Sequence, residues 1–322
     1  GCPGCWGRGG GRPFGVCAAP TPADANVLAL MSGGASALVE VLPEGFDARD
    51  LARVNEYLLA EGHPIGAINR VRKRISRIKG GRLAQHIAAH RTLNLAISDV
   101  PGDDPKVIGS GLLVAHSAED IMVDDLDLPP WLTAMGQSAP PLSSEKATHR
   151  VRTEIVACPA DARAAATATY RDAGVDVVEH RHLLVGDALE VGRRIGREIA
   201  HDEAASAKVW ASETTVILPP RPGRGGRCQS LALAAALELR GSPGACVLAA
   251  GTDGTDGPGE DAGAIVDAGT IARGIAAGLD PGRCLRTADA GTFLEASGDL
   301  VHTGPTGTNV MDLVVALKVG LK

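Results

Sequence analysis

Carboxylates and glycines crowd one segment of the chain, residues 246–267. It begins with a short apolar run at 247–250, which predicts a buried strand. The glycines that follow permit positive φ values, so that main-chain N–H groups can close around an anion. Asp253 and Asp256 come after the carboxyl end of this strand, where open α/β sheets bind their ligands. These two carboxylates are therefore candidate Mg²⁺ ligands, with an ordinary solvated turn as the alternative.

Further loops at 32–36, 99–104, 221–227 and 303–309 also combine glycine with Ser, Thr, Asp or Arg. In the first of these loops, main-chain N–H groups and hydroxyls are suited to bind phosphate oxygens. The candidate residues are Ser32, Gly33, Gly34 and Ser36. An ordinary tight turn is the alternative, since the P-loop pattern GxxxxGK[ST] occurs nowhere in the chain.

The segment 70–82 is basic and carries its apolar residues at helical spacing, so we expect one core face and one cationic face. Lys79 precedes Gly80 and Gly81, and a lysine beside glycines can approach a small anion closely. Lys79 is therefore a candidate catalytic residue that would neutralise transition-state charge. A plain solvated face and nucleic-acid binding are the alternatives. A net charge of −6 and an aromatic content of 2% argue against nucleic acid.

Three arginines lie in loop 221–227, just before an expected helix. Arg224 and Arg227 suit the stabilisation of negative charge on a phosphoryl group in transfer, with a surface hairpin as the alternative. In loop 99–104, Asp99 or Asp103 is a candidate to orient or deprotonate an acceptor hydroxyl. Together these residues indicate phosphoryl transfer. Neither GxSxG nor a strand-linked GxGxxG occurs, which disfavours a serine hydrolase and a dinucleotide-dependent enzyme.

The bulk composition is that of a soluble α/β protein. The chain has 322 residues, 44% of them apolar, and few aromatics, so a core of small aliphatic side chains is expected. No apolar run reaches the roughly 18 residues that span a bilayer, and no signal peptide opens the chain. We therefore expect a cytoplasmic protein that acts on small molecules, with no nucleic-acid or membrane partner and an open oligomeric state.

Apolar periodicity places the candidate loops between alternating strands and helices. Strands are expected at 27–31, 92–98, 154–157, 176–179, 209–218 and 247–250. Helices are expected at 46–61, 65–78, 161–173, 188–201, 231–239, 270–277 and 310–318. Residues 117–148, which contain two Pro-Pro pairs, are expected to hold little regular structure.

Six motifs in this order resemble the glycerate 2-kinases of the MOFRL class, over residues 21–320. They are LMSGGASAL at 30–38, RIKGGRLA at 77–84, ISDVPGDDP at 97–105, GRGGR at 223–227, AGTDGTDGP at 250–258 and GPTGTN at 304–309. The resemblance implies ATP- and Mg²⁺-dependent phosphorylation of D-glycerate at its 2-hydroxyl, giving 2-phosphoglycerate and ADP. It also implies that Thr306 and Asn309 bind substrate or nucleotide.

The resemblance further implies an α/β fold with two domains. These are an incomplete doubly wound, Rossmann-like first domain at 21–205 and a smaller α/β MOFRL domain at 206–322. Residues 1–20 are interpreted as an unstructured leader, standing where family members carry a further N-terminal segment. Two alternatives follow: a catalytically impaired member that only binds anions or a partner, and a hydroxypyruvate reductase, a label that some relatives carry.

Overall fold

The computed structural model describes residues 22, 24–32, 34–87, 91–142 and 148–320. The chain forms two compact units, Gly1–Val156 (unit 1) and Ala157–Lys322 (unit 2). The predicted leader, residues 1–20, lies outside the described residues. The domain boundary between residues 205 and 206 stays a prediction.

Unit 1 carries a three-stranded sheet in the order β1-β2-β3. Its strands are β1 (Asn26–Ser32), β2 (Arg91–Ile97) and β3 (Val151–Ala157). Its helices are α1 (Ala35–Leu38), α2 (Ala48–Ala60), α3 (Ile65–Ile75) and α4 (Pro130–Ser138). Strands β1 and β2 are parallel, and Ser32 pairs with Ile97 in register. Loops 32–36 and 99–104 therefore leave the same edge of the sheet.

The core of unit 1 lies between α2, α3 and α4, because each helix turns an apolar face inward. Asp47 begins α2 with a capping box, in which its side chain accepts the N–H of Arg49 and Asp50. The buried apolar residues of this core are Val54, Leu58, Ile68, Val71, Ile75, Leu132 and Met135.

Unit 2 is built on a mixed sheet in the order β4-β6-β10-β7-β8-β9, with β5 also paired to β6. The strands are β4 (Val177–Glu179), β5 (Leu184–Asp187), β6 (Ser206–Thr215), β7 (Ala245–Gly251), β8 (Gly263–Asp267), β9 (Leu300–Val301) and β10 (Asp312–Lys318). The helices are α5 (Pro159–Asp172), α6 (Ala188–Ala200), α7 (Arg227–Leu239), α8 (Thr270–Ala276), α9 (Pro281–Arg286) and α10 (Ala290–Ser297). Strand β10 runs antiparallel to both β6 and β7.

Small residues let α6 and α7 pack closely in unit 2. A Cβ atom on Gly196 would lie 2.6 Å from the carbonyl oxygen of Ala235, so glycine is needed at this crossing. The consecutive residues 231–236 of α7 are fully buried leucines and alanines. This packing fixes the axis of α7 and with it the position of Arg227, its first residue.

The α/β architecture predicted from the sequence is confirmed. The helix predicted at 310–318 is wrong, because Asp312–Lys318 forms strand β10. A short apolar run fits a buried strand as well as a buried helix, and here it is covered by a strand on each side. The expectation of little structure at 117–148 is also wrong at α4, where Pro130 occupies the first turn, which requires no N–H donor.

Within the described ranges, none of the helices is both long enough and apolar enough to cross a membrane.

Candidate active site

The glycine-rich loop of unit 1 follows β1 and leads into α1. Gly33 lies outside the described residues, while Ser32 is exposed and Ser36 is half-buried. The hydroxyl oxygens of Ser36 and Ser110 are 2.6 Å apart, within hydrogen-bond distance. The side chain of a residue predicted to bind phosphate is thus held by a residue 74 positions away in the chain.

Lys79 contacts the same loop through its buried ammonium group. Its Nζ atom donates to the carbonyl oxygen of Ser36 at 2.8 Å and forms an ion pair with Glu40 Oε2 at 2.8 Å. The Lys79 side chain is only 2% exposed and that of Glu40 only 8% exposed. The ammonium group therefore stabilises the loop from the interior, and its predicted catalytic role stays a prediction.

Ser76 completes this network. Its hydroxyl donates to Glu40 Oε1 at 2.5 Å and accepts the main-chain N–H of Lys79 at 3.0 Å. Sequence reasoning did not single out Glu40, Ser76 or Ser110. No local motif connects them to the loop, because they meet only through the fold.

The basic segment is less solvated than its sequence indicates. Arg82 is 1% exposed and donates to the carbonyl oxygens of Lys73 at 2.7 Å and Pro140 at 2.8 Å. Burial lowers the pKa of Arg82 to about 10. Arg82 therefore ties chain segments together, and the face predicted to be cationic is partly core.

Loop 99–104 contains the two candidate proton acceptors. Burial raises the pKa of Asp99 above its ordinary value, a direction that suits a proton acceptor near neutral pH. Asp103 has a positive φ of 54°, and its buried Oδ1 atom has no hydrogen-bond partner in the described part of the chain. Both carboxyls are half-buried.

In unit 2, three of the predicted loops surround one cavity of about 390 Å³. Its polar lining includes Arg227, Ser230, Asp253, Thr255, Asp256, Asn309 and Asp312. Arg227 comes from the start of α7, the two predicted metal ligands come from the loop after β7, and Asn309 comes from the loop before β10. The structure thus brings together predicted residues that lie far apart in the sequence.

Glycine is required where these loops touch. Gly257 has a φ of 73°, and a Cβ atom there would lie 2.6 Å from the carbonyl oxygen of Gly225. The loops of residues 221–227 and 252–258 therefore approach main chain to main chain.

Asp256 fixes this approach. It is 4% exposed, and its carboxylate accepts the main-chain N–H of Cys228 at 3.0 Å and of Gln229 at 2.7 Å. These two N–H groups belong to the first turn of α7, where the helix itself provides no acceptor for them. Burial raises the pKa of Asp256 to about 6. Asp253 lies at the cavity as well, and its Oδ1 atom accepts the N–H of Thr255 at 2.9 Å.

Arg227 is held between two carboxylates. Its Nε atom donates to Asp312 Oδ2 at 2.6 Å, and its Nη1 atom donates to Glu213 Oε1 at 2.6 Å. Burial alone lowers the pKa of Arg227, but Asp312 and Glu213 outweigh it and raise the pKa above its ordinary value. Sequence reasoning missed both carboxylates; each lies at the end of a sheet strand, β10 or β6.

The side chain of Arg224 pairs with carboxylates other than those that bind Arg227. Its Nη1 atom pairs with Glu295 Oε2 at 3.0 Å, and its Nη2 atom lies 3.7 Å from Asp261 Oδ2. The main-chain N–H of Arg224 donates to Asp289 Oδ1 at 2.8 Å, which anchors the arginine loop. The predicted role of its side chain in catalysis stays a prediction.

Thr306 and Asn309 belong to the loop before β10. The Thr306 hydroxyl donates to the carbonyl oxygen of Thr252 at 2.6 Å and so ties this loop to the loop of Asp253. Asn309 is half-buried, lines the cavity and accepts the N–H of Met311 at 3.2 Å.

Two family models and several known proteins match this chain. The model of the domain of unknown function DUF4147 matches residues 12–125, and the MOFRL family model matches residues 206–312. A D-glycerate 2-kinase of Thermotoga maritima is 36% identical over 91% of this chain and 72% of its own length. This chain belongs to the glycerate 2-kinase family with a MOFRL domain.

Other relatives of this family differ in the name that they carry. A protein of Agrobacterium vitis, provisionally named a hydroxypyruvate reductase, is 39% identical over 90% of this chain and 69% of its own length. The crystal structure of a glycerate kinase from Thermotoga maritima has a TM-score of 0.77 and 34% identity, covering 91% of this chain and 73% of that one.

The donor set at the cavity suits a hard cation bound together with phosphate. Mg²⁺ is usually held by one or two carboxylates, waters and substrate phosphates rather than by a protein cage. Asp253 fits that pattern better than Asp256, because Asp256 is only 4% exposed and both of its oxygens already accept main-chain N–H groups. Across the part of the chain that the structure describes, no three His, Cys, Asp or Glu side chains form a ready-made metal site.

Proposed function

We propose that this protein is an ATP-dependent D-glycerate 2-kinase, which transfers the γ-phosphoryl group of ATP to the 2-hydroxyl of D-glycerate and releases 2-phosphoglycerate and ADP. The observation that carries the proposal is the convergence of three predicted loops on one cavity of unit 2. Family membership supports a kinase, and the names of the relatives support glycerate as acceptor. A cytoplasmic location stays a prediction, and a role in carbohydrate metabolism is proposed with the kinase activity.

Phosphate is proposed to bind at loop 32–36, through Ser32, Gly33, Gly34 and Ser36. The support is that Ser36 is fixed on two sides, at its hydroxyl by Ser110 and at its carbonyl by Lys79. A binding group that is already fixed loses less conformational freedom when the ligand arrives.

Arg227 is the cation best suited to stabilise phosphoryl charge. A guanidinium group has five N–H donors, and its hydrogen bonds with Asp312 and Glu213 leave one donor of Nη1 for a ligand oxygen. The two carboxylates fix its orientation before substrate arrives, which is the condition for efficient electrostatic stabilisation. Arg224 and Lys79 are proposed to add positive charge, although both are paired in this structure.

Asp99 is proposed to accept the proton of the attacking hydroxyl. Its raised pKa favours proton uptake nearer to neutral pH than an exposed carboxylate allows. Thr306 and Asn309 are proposed to bind substrate or nucleotide, and the position of Asn309 in the cavity lining supports this.

Mg²⁺ is proposed to bind at Asp253, with Asp256 as a second carboxylate. When bound, the ion would offset negative charge on the nucleotide phosphates. Asp256 also accepts the N–H groups of Cys228 and Gln229 in α7. It therefore links the proposed metal site to Arg227, the residue directly before these two donors.

The test is to incubate the purified chain with D-glycerate, ATP and Mg²⁺ and to follow ADP release, with ³¹P NMR to identify the product. R227Q should lower kcat by about 10²–10³, the usual effect of removing one donor to a charged transition state. The matched control is R240Q, because Arg240 is exposed and, among the described residues, its side chain hydrogen-bonds only the carbonyl oxygen of Leu237 at 3.1 Å.

Two results would contradict the proposal. A folded sample that releases no ADP would favour a member that only binds anions. NADH oxidation with hydroxypyruvate, in the absence of ADP release, would favour the reductase name that the Agrobacterium vitis relative carries.

A further inference from the structure

Three consecutive residues beside loop 32–36 have left-handed backbone conformations. Gly109, Ser110 and Gly111 have φ values of 57°, 59° and 60°. Glycine adopts this conformation without steric cost, but the Cβ atom of Ser110 is unfavourable there. A non-glycine residue that keeps a strained conformation next to a candidate site suggests a role for its side chain.

The surroundings hold this turn from two sides. The N–H of Gly80 donates to the carbonyl oxygen of Ser110 at 3.1 Å, and the N–H of Gly81 donates to that of Gly111 at 2.7 Å. On the other side, a Cβ atom on Gly109 would lie 3.1 Å from the sulfur atom of Met31, the residue before Ser32. The turn therefore lies directly against the start of the site loop.

Either hydroxyl could donate in the hydrogen bond between Ser110 and Ser36, and burial favours one of the two directions. Ser110 is 2% exposed, and within the described chain its hydroxyl contacts no polar group other than the Ser36 hydroxyl. If Ser36 donated to Ser110, the Ser110 proton would be buried without an acceptor, which is costly. Burial therefore favours Ser110 as the donor, an arrangement that leaves the proton of half-buried Ser36 available to a ligand.

The main chain of Ser36 is fixed independently. Lys79 Nζ donates to its carbonyl oxygen at 2.8 Å and is itself paired with buried Glu40. Ser36 can therefore offer a ligand its hydroxyl proton, in addition to its main-chain N–H in the first turn of α1. A phosphate oxygen accepts hydrogen bonds without donating any, so it complements this proton.

We propose that Ser110 is a positioning residue of the phosphate site: it donates to the Ser36 hydroxyl and thereby directs the Ser36 proton to a phosphate oxygen of the nucleotide. The inference rests on the proposed function, since that function places phosphate at loop 32–36. It also explains why a strained serine occupies a position that favours glycine, because glycine would relieve the strain but remove the donor.

The decisive variant is Ser110→Gly, because it should weaken ATP binding without lowering stability. The melting temperature should stay equal or rise by about 2–4 °C, since glycine favours a positive φ. The KM for ATP should rise about tenfold, the loss expected for one hydrogen bond to a charged group, while the KM for D-glycerate stays unchanged. Ser110→Ala should show the same increase in KM without the gain in stability.

Ser36→Ala gives the second arm of a double-mutant cycle. If Ser110 acts through Ser36, the S36A/S110G double variant should lose no more ATP affinity than either single variant. Ser138→Ala is the matched control, since within the ranges that the structure describes the Ser138 hydroxyl on α4 hydrogen-bonds only the carbonyl oxygen of Ala134 at 2.9 Å. Additive losses, or a KM for ATP in S110G within twofold of wild type, would overturn the proposal.

The rise in melting temperature on adding ATP separates this inference from the kinase proposal. If the wild-type chain binds ATP but releases no ADP, the kinase proposal fails. The role of Ser110 can still be tested by the ATP-induced rise in melting temperature. Loss of this rise in S110G and S36A supports that role, and persistence of the rise overturns it. A folded wild-type chain that binds no ATP overturns both.

Discussion

The two candidate regions are fixed by different physical means. In unit 1, loop 32–36 is held by side chains, namely the buried ion pair of Lys79 with Glu40 and the hydroxyl of Ser110. In unit 2, the loops around the cavity meet through glycine main chain, as at Gly257, and through the partly exposed pairs of Arg227. Loop 32–36 should therefore depend most on its buried charge pair, and the cavity loops of unit 2 should also be sensitive to the addition of a Cβ atom.

The largest effect is expected at the buried ion pair. Lys79→Met should lower the free energy of unfolding by about 3–5 kcal/mol, because it leaves Glu40 charged, buried and without its cation. Urea unfolding measures the loss, and ADP release measures the effect on activity. The E40M/K79M double variant should recover much of the stability. If it is as unstable as the sum of both single variants, the pair is not the source of the loss.

A smaller loss of stability is expected at Arg227. R227Q leaves buried Asp312 without its cation, but the pair is partly exposed on the arginine side, so the expected loss is about 2–3 kcal/mol. R227K keeps the charge but not the paired hydrogen bonds, and should recover stability more than activity. Urea unfolding and ADP release check the two effects separately. Equal recovery of both would contradict the role assigned to the hydrogen bonds.

The sequence predicts the loops better than it predicts what holds them. Glycine and carboxylate patterns identified Asp253, Asp256 and Arg227, and the structure brings these residues to one cavity. The patterns could not identify Asp312, which lies in a segment predicted as a helix, or Ser110, which has no partner near it in the sequence. Such contacts depend on strand order and register, which short apolar runs do not specify.

Glycine substitutions test whether the cavity loops of unit 2 depend on close main-chain contact. Gly257 and Gly278 both have positive φ values, 73° and 84°, but a Cβ atom on Gly278 would meet nothing within 4 Å. G278A should lower the free energy of unfolding by about 1–2 kcal/mol, because alanine is unfavourable in the left-handed conformation. G257A should cost about 1–3 kcal/mol more, because its Cβ atom would push against Gly225, and it should also lower activity. Equal unfolding free energies in urea would show that the loops do not need this close approach.

The smallest effect is expected at a partly exposed ion pair of unit 1, Lys106 with Asp120, which contrasts with the buried pair of Lys79 and Glu40. A hydrogen bond from Lys106 lowers the pKa of Asp120 to about 2, and the Lys106 Nζ atom lies 2.8 Å from Asp120 Oδ2. A carboxyl with a lowered folded-state pKa stabilises the fold above its unfolded pKa of 3.8, and this contribution disappears as the pH falls from about 4 to 2. D120N should therefore lose stability less steeply than wild type in that window.

Because both side chains of this pair reach solvent, the difference should stay below about 1 kcal/mol and shrink further in 1 M salt. Urea midpoints between pH 5 and 2 measure it. A D120N effect as large as that of Lys79→Met would contradict the distinction drawn within unit 1, since burial rather than charge pairing is what makes Lys79 and Glu40 depend on each other.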